Sequence, residues 1–475
     1  MTSTGLVLMP LLCLAMLLGR RSAILACLMA TVLGDGAVIN VGGRMVSVEW
    51  GAGLLLIGRA LVEIGIGRAG LRPDILRRLL PLLLYALSCV VSLLVALALF
   101  KGEIMVLPGS AALNRLLAEP YRLMPENINQ LVYLLLILLY VYALAQEAAA
   151  LATQELERCI DLGMRCSCGL ATAIVAWYIA SLATGLPFPS DFIHSGSHAG
   201  AWDQAVAGVP RPTGSFAEPS ALTYFFSAHL FYFWQRARLT GRALDQLFWL
   251  VTVVVLLIST ASTAFLVLGA FILLAAADRL LAPRLVRHRP GLRLGHVALA
   301  VLVAAMAVVG WKLALTYGDV VRDFIDEQLL NKHTSLSYEV RSNADRMAWQ
   351  IFLDSYGLGI GLGSHRPSSG LLSLLIGPGV LGTLLFGLFV ASVLRAPATA
   401  ELARASKAIR WAALGPLVSH LMTVPDFQSL SLWSPLALAL AMHLSLPRAM
   451  RSREVVHAAT ALPARHRHVP VEGGI

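Results

Sequence analysis

The chain is a succession of apolar runs, each close to the length of a bilayer's hydrocarbon core and each closed off by charge. The runs lie at 5–19, 22–41, 48–66, 79–100, 129–148, 166–186, 216–235, 243–260, 262–281, 295–316, 370–394, 407–424 and 429–447. A helix needs about 20 apolar residues to cross roughly 30 Å of hydrocarbon. Lipid cannot satisfy backbone polar groups, so segments of this kind are expected to be helical. With 57% hydrophobic and 13% charged residues and a mean hydropathy of +0.74, the chain lies far from the ~25% charged residues of soluble domains. It therefore reads as an all-α polytopic membrane protein of about 12–13 transmembrane helices. The first run, Leu6 to Leu18, lacks the basic start and the small-residue cleavage site of a signal peptide and is expected to stay as a span. No internal repeat or low-complexity linker divides the chain, so 1–475 is expected to be a single integral membrane domain.

The charges say which way it sits. Lys+Arg number 37 and Asp+Glu 27, a net +10, but the excess lies in short segments between apolar runs. That is the positive-inside pattern and not a nucleic-acid face, so no nucleic-acid partner is expected. Arg20-Arg21, Arg68 to Arg78, Arg236 to Arg242, Arg279 to Arg293, Arg395 to Arg410 and a basic tail at 448–475 are placed in the cytoplasm. Segments 101–126, 187–215 and 317–369 then face the other side, and the last carries seven acidic against five basic residues. Within it, Val320, Val321, Phe324, Ile325 and Leu329 recur at helical spacing opposite Asp319, Asp323, Asp326 and Glu327. This predicts an amphipathic helix at the membrane surface, either a lid or a cover over the bundle.

Four arginines run against the charge bias. Arg211, Arg341, Arg346 and Arg366 all lie on the non-cytoplasmic side, next to membrane entrances. A guanidinium presents a rigid fork of donors that matches a phosphate or pyrophosphate bidentately and stays charged when partly dehydrated. The alternative is structural pairing with Glu218, Glu339 or Asp345. Gly357, Gly359, Gly361 and Gly363 alternate with apolar residues, but without a βαβ context or a following Gly-Lys-Ser/Thr they do not make a nucleotide loop. They fit a tight turn or re-entrant segment near a ligand. His365 is a candidate general base, or simply a solvated loop residue. Glu218 is a candidate acid/base or orienting group; Glu218-Pro219 also suits a helix start. Ser259-Thr-Ala-Ser-Thr263 satisfies backbone groups at a membrane turn or lines a sugar path, while Asp35, Asp426 and His420 lie in or beside spans.

The six cysteines suggest neither disulfides nor a zinc site, since Cys166-Ser-Cys168 has no second ligand pair. The chain contains no Asp-x-Asp, so no metal-held nucleotide-sugar site and no cofactor are expected; arginines can neutralise a pyrophosphate leaving group without a metal.

At the arginine clusters the chain resembles the O-antigen polymerase and ligase superfamily, in particular its exopolysaccharide-polymerase branch. The resemblance rests on Arg211-x-x-Gly214-x-Phe216-x-x-Pro219, on Ser259 to Thr263, on Arg341 placed eighteen residues before Gly359-Ile-Gly361, and on Gly377 to Phe386. It spans roughly 205–395. It implies a GT-C-like helical fold in a bacterial inner membrane, with 187–215 and 317–369 as periplasmic loops. Such a protein would polymerise undecaprenyl-pyrophosphate-linked repeat units into exopolysaccharide or O-antigen, taking a lipid-linked glycan both as donor and as acceptor. Arg211 and Arg341 would bind the donor pyrophosphate, and a flippase and a chain-length copolymerase would be partners. Many members carry a His-Asn pair after the glycine turn; this chain has His365-Arg-Pro-Ser-Ser369, which makes Arg366 a substitute anchor. The alternatives are a ligase moving polymer to lipid A core and a polysaccharide transporter or flippase. A transporter would show inverted repeats and broken helices with mid-membrane charge.

Overall fold

The structure is a computed structural model and describes residues 1–42, 44–108, 118–196, 205–206, 209–281, 336–397, 399–425 and 427–444. The expected span at 295–316, the amphipathic helix at 320–329, Asp426 and the tail at 448–475 lie outside the described residues.

The described chain is almost wholly helical. In order it forms α1 (Ser3–Leu18), α2 (Arg20–Ala30), the hairpin β1 (Ala37–Val41) and β2 (Arg44–Ser47), α3 (Val48–Gly65), α4 (Pro73–Leu99), the two-residue strands β3 (Met105–Val106) and β4 (Glu119–Pro120), α5 (Pro125–Ala149) and α6 (Thr153–Thr184). A short α7 (Ser190–Ile193) and the strands β5 (Ala205–Val206) and β6 (Val209–Pro210) lead into α8 (Pro219–Thr240), α9 (Ala243–Ile258) and α10 (Ser262–Leu281). The last stretch holds α11 (Leu336–Asp354), α12 (Gly370–Ile376), α13 (Gly379–Leu394), α14 (Ala400–Ala405), α15 (Lys407–Thr423) and α16 (Leu430–Leu444).

Four of these helices are long and apolar enough to cross a membrane: 73–99, 125–149, 153–184 and 262–280. Four shorter helices, α1, α9, α13 and α16, are also apolar. α4 shows the pattern that identifies the environment. Ile75, Leu79, Leu82, Cys89 and Ala96 are buried, while Leu80, Leu83, Leu87, Val91 and Leu94 are exposed on the other side. A helix apolar all round with only one face against protein needs an apolar solvent for the other, as in a membrane protein. α16 is the opposite case, buried from Leu430 through His443, and is the central helix of the bundle. Trp433 there packs against Phe386 and Phe389 of α13, with ring centroids 6.3 and 6.5 Å away.

Three expected elements differ. The run 22–41 is not one span: α2 is only 11 residues, and the chain turns at Thr31 to Gly36 into β1–β2. Summed hydropathy cannot tell an apolar strand from a helix, and here Gly34-Asp35-Gly36 and Gly42 supply the turns. The run 370–394 is broken into α12 and α13 by Gly377-Pro378-Gly379, where Gly379 has φ +73°. α6 is longer than its apolar run, beginning at Thr153, because a polar first half continues the helix.

The two ends of the bundle differ in chemistry. One gathers arginines and carboxylates from α2, α3, α5, α6, α8, α9, α10 and α15: Arg59 with Glu147 and Glu63, Arg20 with Glu147, Arg165 with Asp161 and Asp245, Arg236 with Glu157 and Asp161, and Asp278 with Arg238 and Lys407. The other is a layer of loops and hairpins joined to one another. Thr4 bonds to Ser195 (2.7 Å), Asp35 receives the Gly196 N–H on its carbonyl (3.0 Å) and donates its own N–H to Ser215 (3.0 Å), and Leu107 meets His365 (3.0 Å). Segments 185–196 and 211–218 are thus tied together through Asp35, and 101–108 and 118–126 are tied to 355–369 through His365 and Asn127.

Candidate functional site

The loop that carries Arg211 is pinned before it reaches the arginine. Ser215 donates its hydroxyl to the Val32 carbonyl, its own carbonyl takes the Asp35 N–H, and Phe216 packs on Phe225 with centroids 5.2 Å apart. Gly214 turns at φ +61°, and a Cβ there would lie 2.7 Å from Val175, so the loop can approach α6 only with glycine at this point. From this support the half-buried Arg211 reaches the turn between α9 and α10. Its Nε and one terminal nitrogen donate to the hydroxyl and the carbonyl of Thr260, both at 3.2 Å. Thr260 has φ +50°, a sparsely populated conformation for a β-branched residue.

Two charges act on that guanidinium. Burial holds Arg211 below its usual range, Glu218 opposes the lowering, and the positive charge of Arg341 adds to it. Arg211, Glu218 and Arg341, 130 residues apart at the extremes, therefore share one electrostatic neighbourhood at the loop end. Glu218 is exposed, is the N-cap residue of α8, and accepts a hydrogen bond from the Ser220 hydroxyl. Arg341 is exposed on the first half of α11.

α11 also holds the second cluster. One turn beyond Arg341, the Ala344 carbonyl accepts from His365 Nε2 (2.9 Å), and the Asp345 carboxylate accepts the N–H of Ser368 (2.7 Å) and its hydroxyl. The Leu107 N–H donates to His365 Nδ1 (3.0 Å), and the Arg366 N–H returns to the Leu107 carbonyl (3.1 Å). Because an amide can only donate, Nδ1 must be the acceptor and Nε2 must carry the proton. His365 is thus a buried, neutral imidazole whose two nitrogens are both taken by backbone. Burial lowers its pKa, with the Ala344 carbonyl and Asp345 opposing. It staples the loop to α11 and to Leu107; accepting a substrate proton would require it to leave both contacts. Asp345, read from the sequence as a partner for arginine, is used by the loop.

The glycine turn makes this stapling feasible. Gly357, Gly359, Gly361 and Gly363 all have φ between +71° and +83°. Gly359 faces the Gly377 carbonyl, which would stand 2.3 Å from a Cβ, and Ile360 and Gly361 donate to the carbonyls of Ile376 and Gly377. Ser92 on α4 bonds the carbonyls of Leu358 and Gly377, and Asn127 on α5 bonds Leu362 and Ser364. Arg366 is left exposed at the tip.

Of the six residues singled out from the sequence, Arg211, Glu218 and Arg341 are therefore brought together, His365 and Arg366 stand beside them through α11, and Arg346 does not join. At about 100° per residue, Arg346 lies roughly 140° around the helix from Arg341 and is exposed. Sequence reasoning missed His194, which is buried and bonds to the equally buried Asp35 at 2.9 Å. No local signal joins residues 159 positions apart. Thr260 was flagged only as part of a hydroxyl-rich turn; its partner is Arg211.

Comparison with known protein families, with curated proteins and with solved structures returns no match.

Proposed function

We propose that the protein is a membrane glycosyltransferase that polymerises lipid-pyrophosphate-linked oligosaccharide repeat units. The single observation that carries this reading is the placement of Arg341 within electrostatic reach of a half-buried Arg211, beside an exposed carboxylate, at the loop end of a membrane bundle. Two guanidiniums that share one neighbourhood with a single exposed carboxylate offer forked donors to a phosphate or pyrophosphate. A pyrophosphate with its sugar just outside the bilayer fits those donors, and the flanking apolar helices suit its polyprenyl tail. The same reading takes about 12–13 of the apolar segments as crossings in a GT-C-like arrangement, with the arginine–carboxylate end in the cytoplasm of a bacterial inner membrane and the loop end in the periplasm.

In this mechanism an acceptor hydroxyl attacks the anomeric carbon of the donor, the C–O bond to the pyrophosphate breaks, and lipid pyrophosphate leaves with the bonding electrons. Arg211 and Arg341 neutralise the charge that develops on it. The acceptor proton passes to the Glu218 carboxylate. His365 and Asp345 hold the loop that bears Arg366, which contacts the outer phosphate or the sugar. A flippase would supply the donor already on the outer face, and a copolymerase would set chain length.

The test is genetic and chemical. A deletion strain or an Arg341→Ala variant is expected to accumulate single lipid-linked repeat units accessible from the periplasm and to make no long polymer. Long polymer held on the lipid carrier would instead identify a ligase acting on lipid A core. Single units trapped on the cytoplasmic leaflet would identify a flippase and end the case for glycosyl transfer.

A further inference from the structure

α11 has a third face that neither the arginine pair nor the loop staples use. Its inner face, Ala348 and Ile351, is buried against Phe100, Ile104, Val106 and Met124 in a small core of its own. The outer stripe follows helical spacing at i, i+3 and i+7: Arg346, Trp349 (51% exposed) and Leu353 (51%). It continues past the helix end into Tyr356 (85%) and Leu358 (48%). Tyr356 sits at φ +52°, an unusual backbone for a bulky residue. Trp349 is braced rather than loose, stacked on Phe352 with centroids 5.4 Å apart.

This stripe is continuous with an exposed apolar surface of α13. The Val380 N–H at the start of α13 donates to the Gly357 carbonyl (2.9 Å), directly beside Tyr356. From there Val380, Leu381, Leu384 and Leu388 run exposed down α13. An exposed apolar band on α13 thus ends in Leu358, Tyr356, Leu353 and Trp349, and then in an arginine. Tryptophan and tyrosine concentrate at the bilayer interface, where one part of the ring is wet and the other apolar, and a basic side chain beside them reaches outward to the phosphates.

We propose that α11 is an interfacial helix, with Trp349, Leu353 and Tyr356 seated in the phospholipid leaflet at the loop end and Arg346 at the level of the lipid phosphates. The helix then divides its two arginines: Arg341 lies within electrostatic reach of Arg211, while Arg346 anchors the helix to the membrane. This surface does not depend on the glycosyl-transfer reading, because a phospholipid leaflet would be its partner whatever chemistry the cluster performs.

The test uses the full chain in nanodiscs of mixed zwitterionic and anionic phospholipid, with the native cysteines replaced. A single cysteine at Leu353 carries an environment-sensitive fluorophore, Tyr356→Cys is a second label site, and Glu401→Cys is an exposed control. Quenching is compared for lipids bearing a nitroxide near the headgroup, lipids bearing one near the chain end, and aqueous iodide. The labels at 353 and 356 are expected to lose most of their fluorescence to the headgroup-proximal nitroxide, less to the deep one, and little to iodide, with the reverse at 401. Arg346→Glu is expected to reduce the shallow quenching at 353. Strong iodide quenching without lipid quenching at both sites would place the stripe in water. Protection from every quencher would mean that protein covers it, whether residues 295–330 or a second copy of the chain. Either result overturns the proposal.

Discussion

Around α3 and α5, Arg59 sits between Glu63 at 2.7 Å and Glu147 at 3.2 Å, and Arg20 adds a further contact to the same buried Glu147 at 3.3 Å. At the opposite end, Arg211 spends two donors on one threonine, and Arg341 adds to the charge against it. The residue type is the same, but the surroundings are not. Where carboxylates meet the arginines, the opposite charges pair with one another and serve the scaffold. At the loop end a carboxylate and a second arginine, Glu218 and Arg341, act on Arg211 in opposite senses, and the surrounding bonds of Ser215, Asn127 and Ser92 go into holding backbone in place.

Substitutions at the two ends should accordingly fail in different ways. Glu147→Ala removes the buried carboxylate that Arg59 and Arg20 share, while Arg59 keeps Glu63 at 2.7 Å, and is expected to destabilise by about 1–3 kcal/mol, the cost of unmet polar groups. This should read as earlier thermal unfolding in detergent and a loss of protein from membranes. Arg341→Ala should leave the unfolding transition nearly in place while removing activity on the order of 10²-fold, the loss typical of one donor aimed at developing negative charge. If Arg341→Ala unfolds as early as Glu147→Ala, the two ends are not different in kind.

A smaller effect separates His365 from a catalytic base. Its folded pKa lies below the ordinary value of 6.5 because it is buried, so the neutral form is favoured in the folded state. The unfolded chain takes up a proton first as pH falls. The stabilisation from neutral His365 is therefore complete above pH ~6.5 and is lost as pH falls below that toward the depressed folded value. Thermal stability of the wild type should decline through this window, and His365→Gln should flatten that part of the profile. An activity profile governed by His365 with no matching change in stability would restore it as the base.

Much of this was legible in the sequence, and the limits are physical. Hydropathy is a local sum, so a helical membrane bundle could be read off from the apolar runs. The break of 22–41 into α2 and a hairpin could not, since strand and helix draw on the same apolar residues and only the Gly34–Gly36 turn separates them. The role of His365 depended on Leu107, 258 positions away, and that of Asp345 on Ser368. Polar partners joined only by folding leave no period in the chain. Charge alternation groups Arg346 with Arg341 on one side of the membrane, but it carries no information on helix face, and five residues turn a helix by roughly 140°.

The binding of undecaprenyl pyrophosphate to the purified protein in nanodiscs bears on the arginine pair without relying on polymer assays. Wild type, Arg211→Lys, Arg341→Lys and Arg346→Lys would be titrated side by side, with inorganic pyrophosphate as competitor. Lysine keeps the charge but cannot present two parallel donors. Weaker binding in the first two variants, on the order of tenfold each for the lost bidentate contact, with Arg346→Lys close to wild type, is the predicted result. Equal affinity in all four proteins would mean that Arg211 and Arg341 do not form the pyrophosphate site.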